Sequence, residues 1–226
     1  MRITELTLQT HQLCEIQDFY EKVLELAVLE QSETQFTLQV GGSKITFISE
    51  NSAEKAYYHV AITIPTNRFH AAKQWIKDRG ISLIMQEGED EFTFEDWNAS
   101  ALYFYDPDDN LIEFIAHHSL DNAVVEPFGS TLLLRVSEVG LPVDHVPEVV
   151  KMLKDSHSLS LWRGNGEQFA ALGDAEGLLI VVDSARPWFP DGRAPGIFPT
   201  SVTIEKGIRE PAMISIQDEN YVIKFR

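Results

Sequence analysis

The segment Ala101-Leu-Tyr-Phe-Tyr-Asp-Pro-Asp-Asp-Asn-Leu-Ile-Glu-Phe-Ile115 constrains this chain more than any other, because it fixes two strands, the turn between them and the direction of one carboxylate. Leu102 and Phe104 on the first run, and Ile112 and Phe114 on the second, share one face at the strand period of two. Tyr103, Tyr105 and Glu113 then lie on the other face. Asp106 to Asn110 reads as a tight turn, since Pro presets φ while Asp and Asn bond their own main chain and tolerate left-handed backbone. The result is a hairpin with one apolar face and one tyrosine-lined face that carries Glu113. That second face is either a solvated sheet surface or the wall of a pocket.

Hydrophobic periodicity extends this unit into a repeat. Ile3 to Gln9 alternates as a strand, and Glu15 to Leu26 sets Ile16, Phe19, Tyr20, Val23 and Leu24 on one helical face. Val28 to Gln31, Gln35 to Val40 and Lys44 to Ser49 follow as strands, giving β-α-β-β-β. The order recurs from Tyr57: a strand to Ile64, a helix from about Asn67 to Arg79 ended by Gly80, a strand at Ile81 to Met85, and the hairpin. After a polar stretch from Asp121 to Gly129, a third unit begins with a strand at Thr131 to Val136 and a helix at Pro147 to Asp155. Strands at Leu159 to Trp162, Gln168 to Leu172 and Gly177 to Val182 complete it. Beyond a Pro-rich loop from Arg186 to Pro199, a shortened fourth unit offers strands at Thr200 to Glu205, Met213 to Gln217 and Tyr221 to Phe225, with no clear helix.

The hairpin resembles the last hairpin of the vicinal oxygen chelate superfamily, the glyoxalase, bleomycin-resistance and extradiol dioxygenase group, whose pattern reads roughly Tyr-Phe-x-Asp-Pro-Asp-Gly-Asn-x-x-Glu-Phe. Asp109 stands where that family usually has Gly, a residue that adopts left-handed backbone at modest cost. The resemblance implies an α+β fold of tandem βαβββ modules forming two half-barrel-like glyoxalase/dioxygenase-type domains, the second degenerate, at 1–120 and 130–226. It also implies a metal ligand on the opening strand of each of the first two modules and a glutamate on the last strand of the second. Carried over residue by residue, these are Glu5, His59 and Glu113. The pleat agrees, since Val60, Ile62 and Ile64 take the apolar side of their strand and leave His59 on the side of Glu113, while Leu6 and Leu8 leave Glu5 on the opposite face of the first.

Glu5 replaces the histidine common in the family, so the triad becomes one histidine and two carboxylates. Two carboxylates neutralise a divalent ion and weaken its Lewis acidity, which favours Mn²⁺ over an oxygen-activating Fe²⁺ and leaves Zn²⁺ and Ni²⁺ compatible. Thr46, at the position matching Glu113 in the first module, is a poor ligand. The resemblance implies an enzyme in which the metal chelates two adjacent oxygens of a small substrate, Tyr57, Tyr103 and Tyr105 position it, and Glu113 or Glu5 moves protons. Ring-cleaving dioxygenase and glyoxalase-like isomerase or lyase are the two chemistries. A metal-free binding or sequestration protein of the bleomycin-resistance kind is the alternative.

Each residue also has a plainer reading. A histidine on a strand is commonly a satisfied structural group, a sheet glutamate is commonly solvated, and Glu5 with His59 could be an ion pair. His117 shares the parity of Glu113 but, with His118, reads as surface at a strand end. Cys14 reads as a half-buried thiol. In the C-terminal half, the opening strand from Thr131 to Ser137 offers no His or Glu and the last strand offers Lys224, so a metal site belongs to the first half. Trp188 and Phe189, in the Pro-rich loop, could cover a cavity.

Composition narrows the partners. The chain has 226 residues, 44% of them hydrophobic, enough for two modest cores. A formal charge of −17 argues against nucleic acid and anionic membranes, leaving a small molecule and a second copy of the chain as the partners in view. The single cysteine and the absence of a signal-like N-terminal pattern point to the cytoplasm.

Overall fold

The computed structural model describes residues 1–52, 54–207 and 211–226. Fifteen strands and three helices occur in the order β1 (Arg2–Thr10), α1 (Leu13–Asp18), β2 (Val28–Gln31), β3 (Gln35–Val40), β4 (Ser43–Ser49), β5 (His59–Thr63), α2 (Phe69–Asp78), β6 (Phe92–Phe94), β7 (Ala99–Tyr105), β8 (Leu111–His117), β9 (Arg135–Val143), α3 (Val146–His157), β10 (Leu161–Gly164), β11 (Phe169–Asp174), β12 (Gly177–Asp183), β13 (Thr200–Glu205), β14 (Ala212–Ile216) and β15 (Tyr221–Phe225). Four modules are present in the expected order, and among the described residues the fourth has no helix. None of the described helices is long and apolar enough to cross a membrane.

Sequence periodicity builds these elements directly. In α2, Phe69, Ala72, Trp75 and Ile76 are buried at helical spacing, and Gly80 beyond the last turn takes φ +72°. The α1 helix continues as a wider turn through Phe19–Val23, which buries Tyr20. In the hairpin, the Asp106 carboxylate accepts the Asp108 and Asn110 amides at 3.0 and 2.9 Å and the Tyr20 hydroxyl at 2.9 Å, while Asp109 adopts φ +61°. Asn110 Oδ1 accepts the Tyr58 amide at 2.8 Å and so ties the turn to the strand beside it.

The modules pair across the two halves. One seven-stranded sheet runs β14-β15-β13-β1-β4-β3-β2, joining modules one and four; one eight-stranded sheet runs β10-β11-β12-β9-β5-β8-β7-β6, joining modules two and three. Neither 1–120 nor 130–226 closes a sheet by itself. The opening strands β1 and β5 lie in different sheets, so Glu5 does not share a sheet face with His59. The inward faces of both sheets and all three helices form one continuous core. A second apolar cluster, including Tyr103, Ile180 and Trp188, covers the opposite face of the eight-stranded sheet.

Two strands differ from the sequence reading. Ile81 to Met85 contributes only an isolated bridge, Leu83 to Phe104, and the edge strand is β6 instead. The third module opens at Arg135 and runs on to Val143 through Gly140 and Pro142, whereas Ser130–Leu132 forms a single tight helical turn. Pro142 is tolerated because it lies beyond Val139, where pairing with β5 ends, so no partner strand requires its missing N–H.

Candidate metal centre and its cavity

At the seam of modules two and three, three strands bring His59, Glu113 and Glu138 together, each offering a ligand atom within 4.8 Å of the others. His59 opens β5, and its Nδ1–H donates to the Leu111 carbonyl at 3.2 Å, which leaves the Nε2 lone pair free; Nε2 lies 3.5 Å from Glu113 Oε2. Glu113 sits on β8 directly beside Ala61 of β5 and opposite Tyr103 of β7. Glu138 comes from β9, where it pairs with Ala61 from the other side.

A β-bulge aims Glu138. Ala61 pairs with Glu138 and Ile62 with Val136, so Ser137 is the extra residue. Without it, alternation would send Glu138 to the core with Val136; the bulge turns the carboxylate to the cavity face while Val136 and Val139 both stay in the core.

All three groups are buried: His59 is 6%, Glu113 3% and Glu138 3% exposed. Burial holds His59 down to about 4, so its imidazole is neutral at physiological pH. Burial, reinforced by the charge of Glu138, holds Glu113 well above the usual carboxylate range, and burial lifts Glu138 as well. Among the described residues no lysine or arginine pairs with either carboxylate, and Glu138 Oε1 has no hydrogen-bond partner. Two such carboxylates and one neutral imidazole are a donor set for a divalent cation, which would supply the missing charge and occupy the free oxygen.

These groups form the floor of a cavity of about 290 Å³. Its walls are Phe94, Trp97, Tyr103, Phe169, Trp188 and Phe189, with Ile115, Ile180 and Arg186. Ile180 has structural meaning: Glu113 faces Ala61, two residues beyond His59, and Ile180 faces Gly140, two residues beyond Glu138. The position symmetric to Glu113 is therefore apolar, and the floor presents three protein donors.

The Pro-rich loop roofs the cavity. Trp188 packs its ring 5.1 Å from that of His59, and Phe189 meets Phe92 and Phe94. Gly140 makes room, since a Cβ there would lie 2.8 Å from the Trp188 ring and 3.0 Å from His59 Cβ. Arg193 fastens the loop by donating to the Asp109 carbonyl at 2.8 Å and covering the Tyr57 ring at 4.1 Å.

The sequence-predicted residues divide accordingly. His59, Glu113 and Tyr103 converge. Glu5 does not: it lies in the seven-stranded sheet, accepts the Thr203 hydroxyl at 2.9 Å and pairs with Arg226 at 3.2 Å, its side chain 42% exposed. Tyr57 and Tyr105 lie outside the cavity wall and hold the roof, donating their hydroxyls to the Ala194 carbonyl and the Asp191 carboxylate, both at 2.5 Å. His117, read as surface, is fully buried between Trp97 and Trp162, with Nε2 3.9 Å from Glu138 Oε1 and neither ring nitrogen hydrogen-bonded. Cys14 is exposed.

A metallothiol transferase FosB of Staphylococcus haemolyticus is 25% identical over 116 residues, 49% of this chain and 80% of that protein. A solved protein of Bacillus subtilis described as a candidate dioxygenase superposes over 100% of this chain and 84% of its own, with TM-score 0.63 and 13% identity. Glyoxalase I of Zea mays superposes over 99% of this chain and 91% of its own, with TM-score 0.61 and 12% identity. Both show the fold. Residues 2–114, half of the chain, match the family model described as Glyoxalase/Bleomycin resistance protein/Dioxygenase superfamily, and the chain belongs to that superfamily.

Proposed function

We propose that this protein is a divalent-metal-dependent enzyme acting on a small, ring-bearing substrate through two adjacent oxygens, with the metal held by His59 Nε2, Glu113 and Glu138. One observation carries the reading: three buried donors, two of them carboxylates without cationic partners, meet at the floor of an aromatic cavity. A purely structural origin for such a cluster would have to tolerate two uncompensated buried carboxylates. Bound there, a divalent ion supplies Lewis-acid stabilisation of negative charge on a pair of substrate oxygens.

The chain's own residues do the rest. Ile180, at the fourth symmetric position, offers no ligand and leaves room for a substrate that brings two oxygens of its own. The aromatic walls stack a flat ring, and Trp188 and Phe189 exclude water above it. Tyr103, beside Glu113, orients the substrate through its hydroxyl. Burial and the charge of Glu113 push that hydroxyl well above its ordinary value, so Tyr103 acts as a hydrogen-bond donor and not as a phenolate. The aromatic lining favours ring cleavage of a catechol with dioxygen as co-substrate. A glyoxalase-type isomerisation, with the Glu138 oxygen left off the metal taking the proton, is the second reading.

Elemental analysis of protein purified without added metal, followed by oxygen-uptake assays with catechol and isomerisation assays with the hemithioacetal of methylglyoxal and glutathione, tests this. Near-stoichiometric divalent metal that disappears in His59→Ala is the expected result. Absence of uptake at millimolar Mn²⁺, Zn²⁺, Ni²⁺ and Fe²⁺, with tight binding of aromatic ligands to the metal-free protein, would instead establish a binding protein.

A further inference from the structure

Arg186 is the sole cationic side chain among the residues lining the cavity. It is also, among the described residues, the one arginine whose guanidinium has neither a carboxylate nor a carbonyl partner. Arg2, Arg79, Arg135, Arg193 and Arg226 are ion-paired, and Arg68 and Arg163 donate to backbone carbonyls. In a chain with 35 Asp and Glu against 18 Lys and Arg, an arginine left over is not short of available anions; it is held away from them. What holds it is aromatic: the guanidinium lies 4.8 Å from the centre of the Phe169 ring, and Phe169 packs against Trp97.

Depth orders the groups. His59, Glu113, Glu138 and Ile180 are buried, whereas Phe94, Trp97, Phe169 and Arg186 are half-buried and form the rim. Charge does the same. With a divalent ion on the floor, the two carboxylates are neutralised, and the positive charge of Arg186 is the net charge left in the cavity. A ligand that fills the space between floor and rim therefore presents oxygens at one end, a ring in the middle and one negative group at the other.

Resting on the metal-site reading above for its oxygen-binding end, we propose that Arg186 is an anion-binding residue and that the substrate is an aromatic carboxylate bearing two adjacent oxygens. The carboxylate is the anion whose planar, two-oxygen geometry matches the guanidinium fork. Arg186 selects and orients; it does not touch the reacting oxygens.

Two ligands that differ by one carboxylate test this: catechol and 3,4-dihydroxybenzoate, titrated into Mn²⁺-loaded protein and followed by quenching of tryptophan fluorescence. The wild type binds the acid at least about tenfold more tightly, as expected for one charge-assisted contact in a partly desolvated site. Arg186→Gln abolishes the preference, the affinity for the acid falling to that for catechol, and Arg186→Lys restores part of it. Equal affinity of the wild type for both ligands, a preference that survives Arg186→Gln, or binding of neither overturns the proposal. Benzoate against benzyl alcohol on the chelator-treated protein repeats the comparison without metal. Failure to take up Mn²⁺ then counts against the metal centre, and loss of discrimination between benzoate and benzyl alcohol counts against Arg186.

Discussion

Replacing Glu138 by Gln should stabilise the metal-free protein and remove most of the stabilisation that metal confers. Burial lifts the Glu138 carboxyl from 4.5 to about 8, so between those values the folded protein holds a proton that the unfolded chain has released. A carboxyl raised in this way costs stability progressively as pH increases through that window. At pH 7 the gap is about 2.5 units, or of the order of 3 kcal/mol at roughly 1.4 kcal/mol per unit. The Gln amide carries no ionisation cost but still needs hydrogen bonds. A net gain of about 1–2 kcal/mol remains, which raises Tm by roughly 2–8 °C for a chain of this size. With metal the order reverses. At a free metal concentration of about 100 Kd the wild type gains about 2.7 kcal/mol; a hundredfold loss of affinity on removing one of three ligands leaves about 0.4 kcal/mol. Scanning calorimetry at pH 7, in chelator and across a Mn²⁺ or Zn²⁺ titration, reads both effects. Glu5→Gln is the control, since that side chain is 42% exposed and belongs to the other sheet. The reasoning is refuted if Glu138→Gln keeps the metal-induced shift of the wild type, or if Glu5→Gln loses it.

The same groups set a pH profile. His59 and His117 are both held down to about 4, so the stability their neutral rings contribute is complete above 6.5 and lost as pH falls toward 4, while the raised carboxyls cost stability as pH climbs to about 8. Urea midpoints of the metal-free protein should therefore peak near pH 6 and fall on the alkaline side, with metal abolishing that fall; a flat curve from pH 6 to 8 in chelator would contradict this. Trp188→Ala should cost about 3–5 kcal/mol and open the cavity to water, seen as weaker binding of aromatic ligands with metal uptake retained. Gly140→Ala, whose Cβ would press on both Trp188 and His59, should cost about 1–3 kcal/mol and weaken metal uptake as well, a combination that calorimetry and metal titration together distinguish from simple loss of the roof.

Local chemistry explains what was legible in the sequence. The Asp106 to Asn110 turn carries its own bonds, and the alternation around it fixes where Glu113 points, so the hairpin and its carboxylate stand as read. His59 follows from the same pleat, two residues before the neighbour of Glu113. The third module was harder for two local reasons. The strand read as ending at Val136 continues to Val143 through Gly140 and Pro142, because the β5 pairing that would forbid Pro142 stops short of it. Ser137 adds one residue and reverses the parity of everything after it, so no strict alternation could have assigned Glu138 to the cavity. The burial of His117 likewise depends on residues far apart in sequence, Trp97 of its own module and Trp162 of the next, which enclose it.

Glu5 and Glu138 are the same residue in two copies of one device. β1 and β9 each open a module, each carries a bulge residue immediately before its glutamate, Thr4 and Ser137, and each glutamate pairs with the opening strand of another module: Glu138 with Ala61, Glu5 with Thr203. Around Ala61 stand His59 two residues earlier and Glu113 on the parallel neighbour. Around Thr203 the matching places hold Ser201 and Lys224. A carboxylate beside a hydroxyl and an ammonium has hydrogen bonds and a counter-charge without any metal, and Glu5 duly takes the Thr203 hydroxyl and Arg226 on an exposed part of its sheet. A carboxylate beside an imidazole and a second carboxylate has neither, and burial beneath Trp188 removes water as a substitute. The assignment of Glu5 thus had the correct place within its module, and the pairing of modules decided the chemistry: one seam is discharged by its own side chains, while the other retains a charge deficit that a divalent cation would fill.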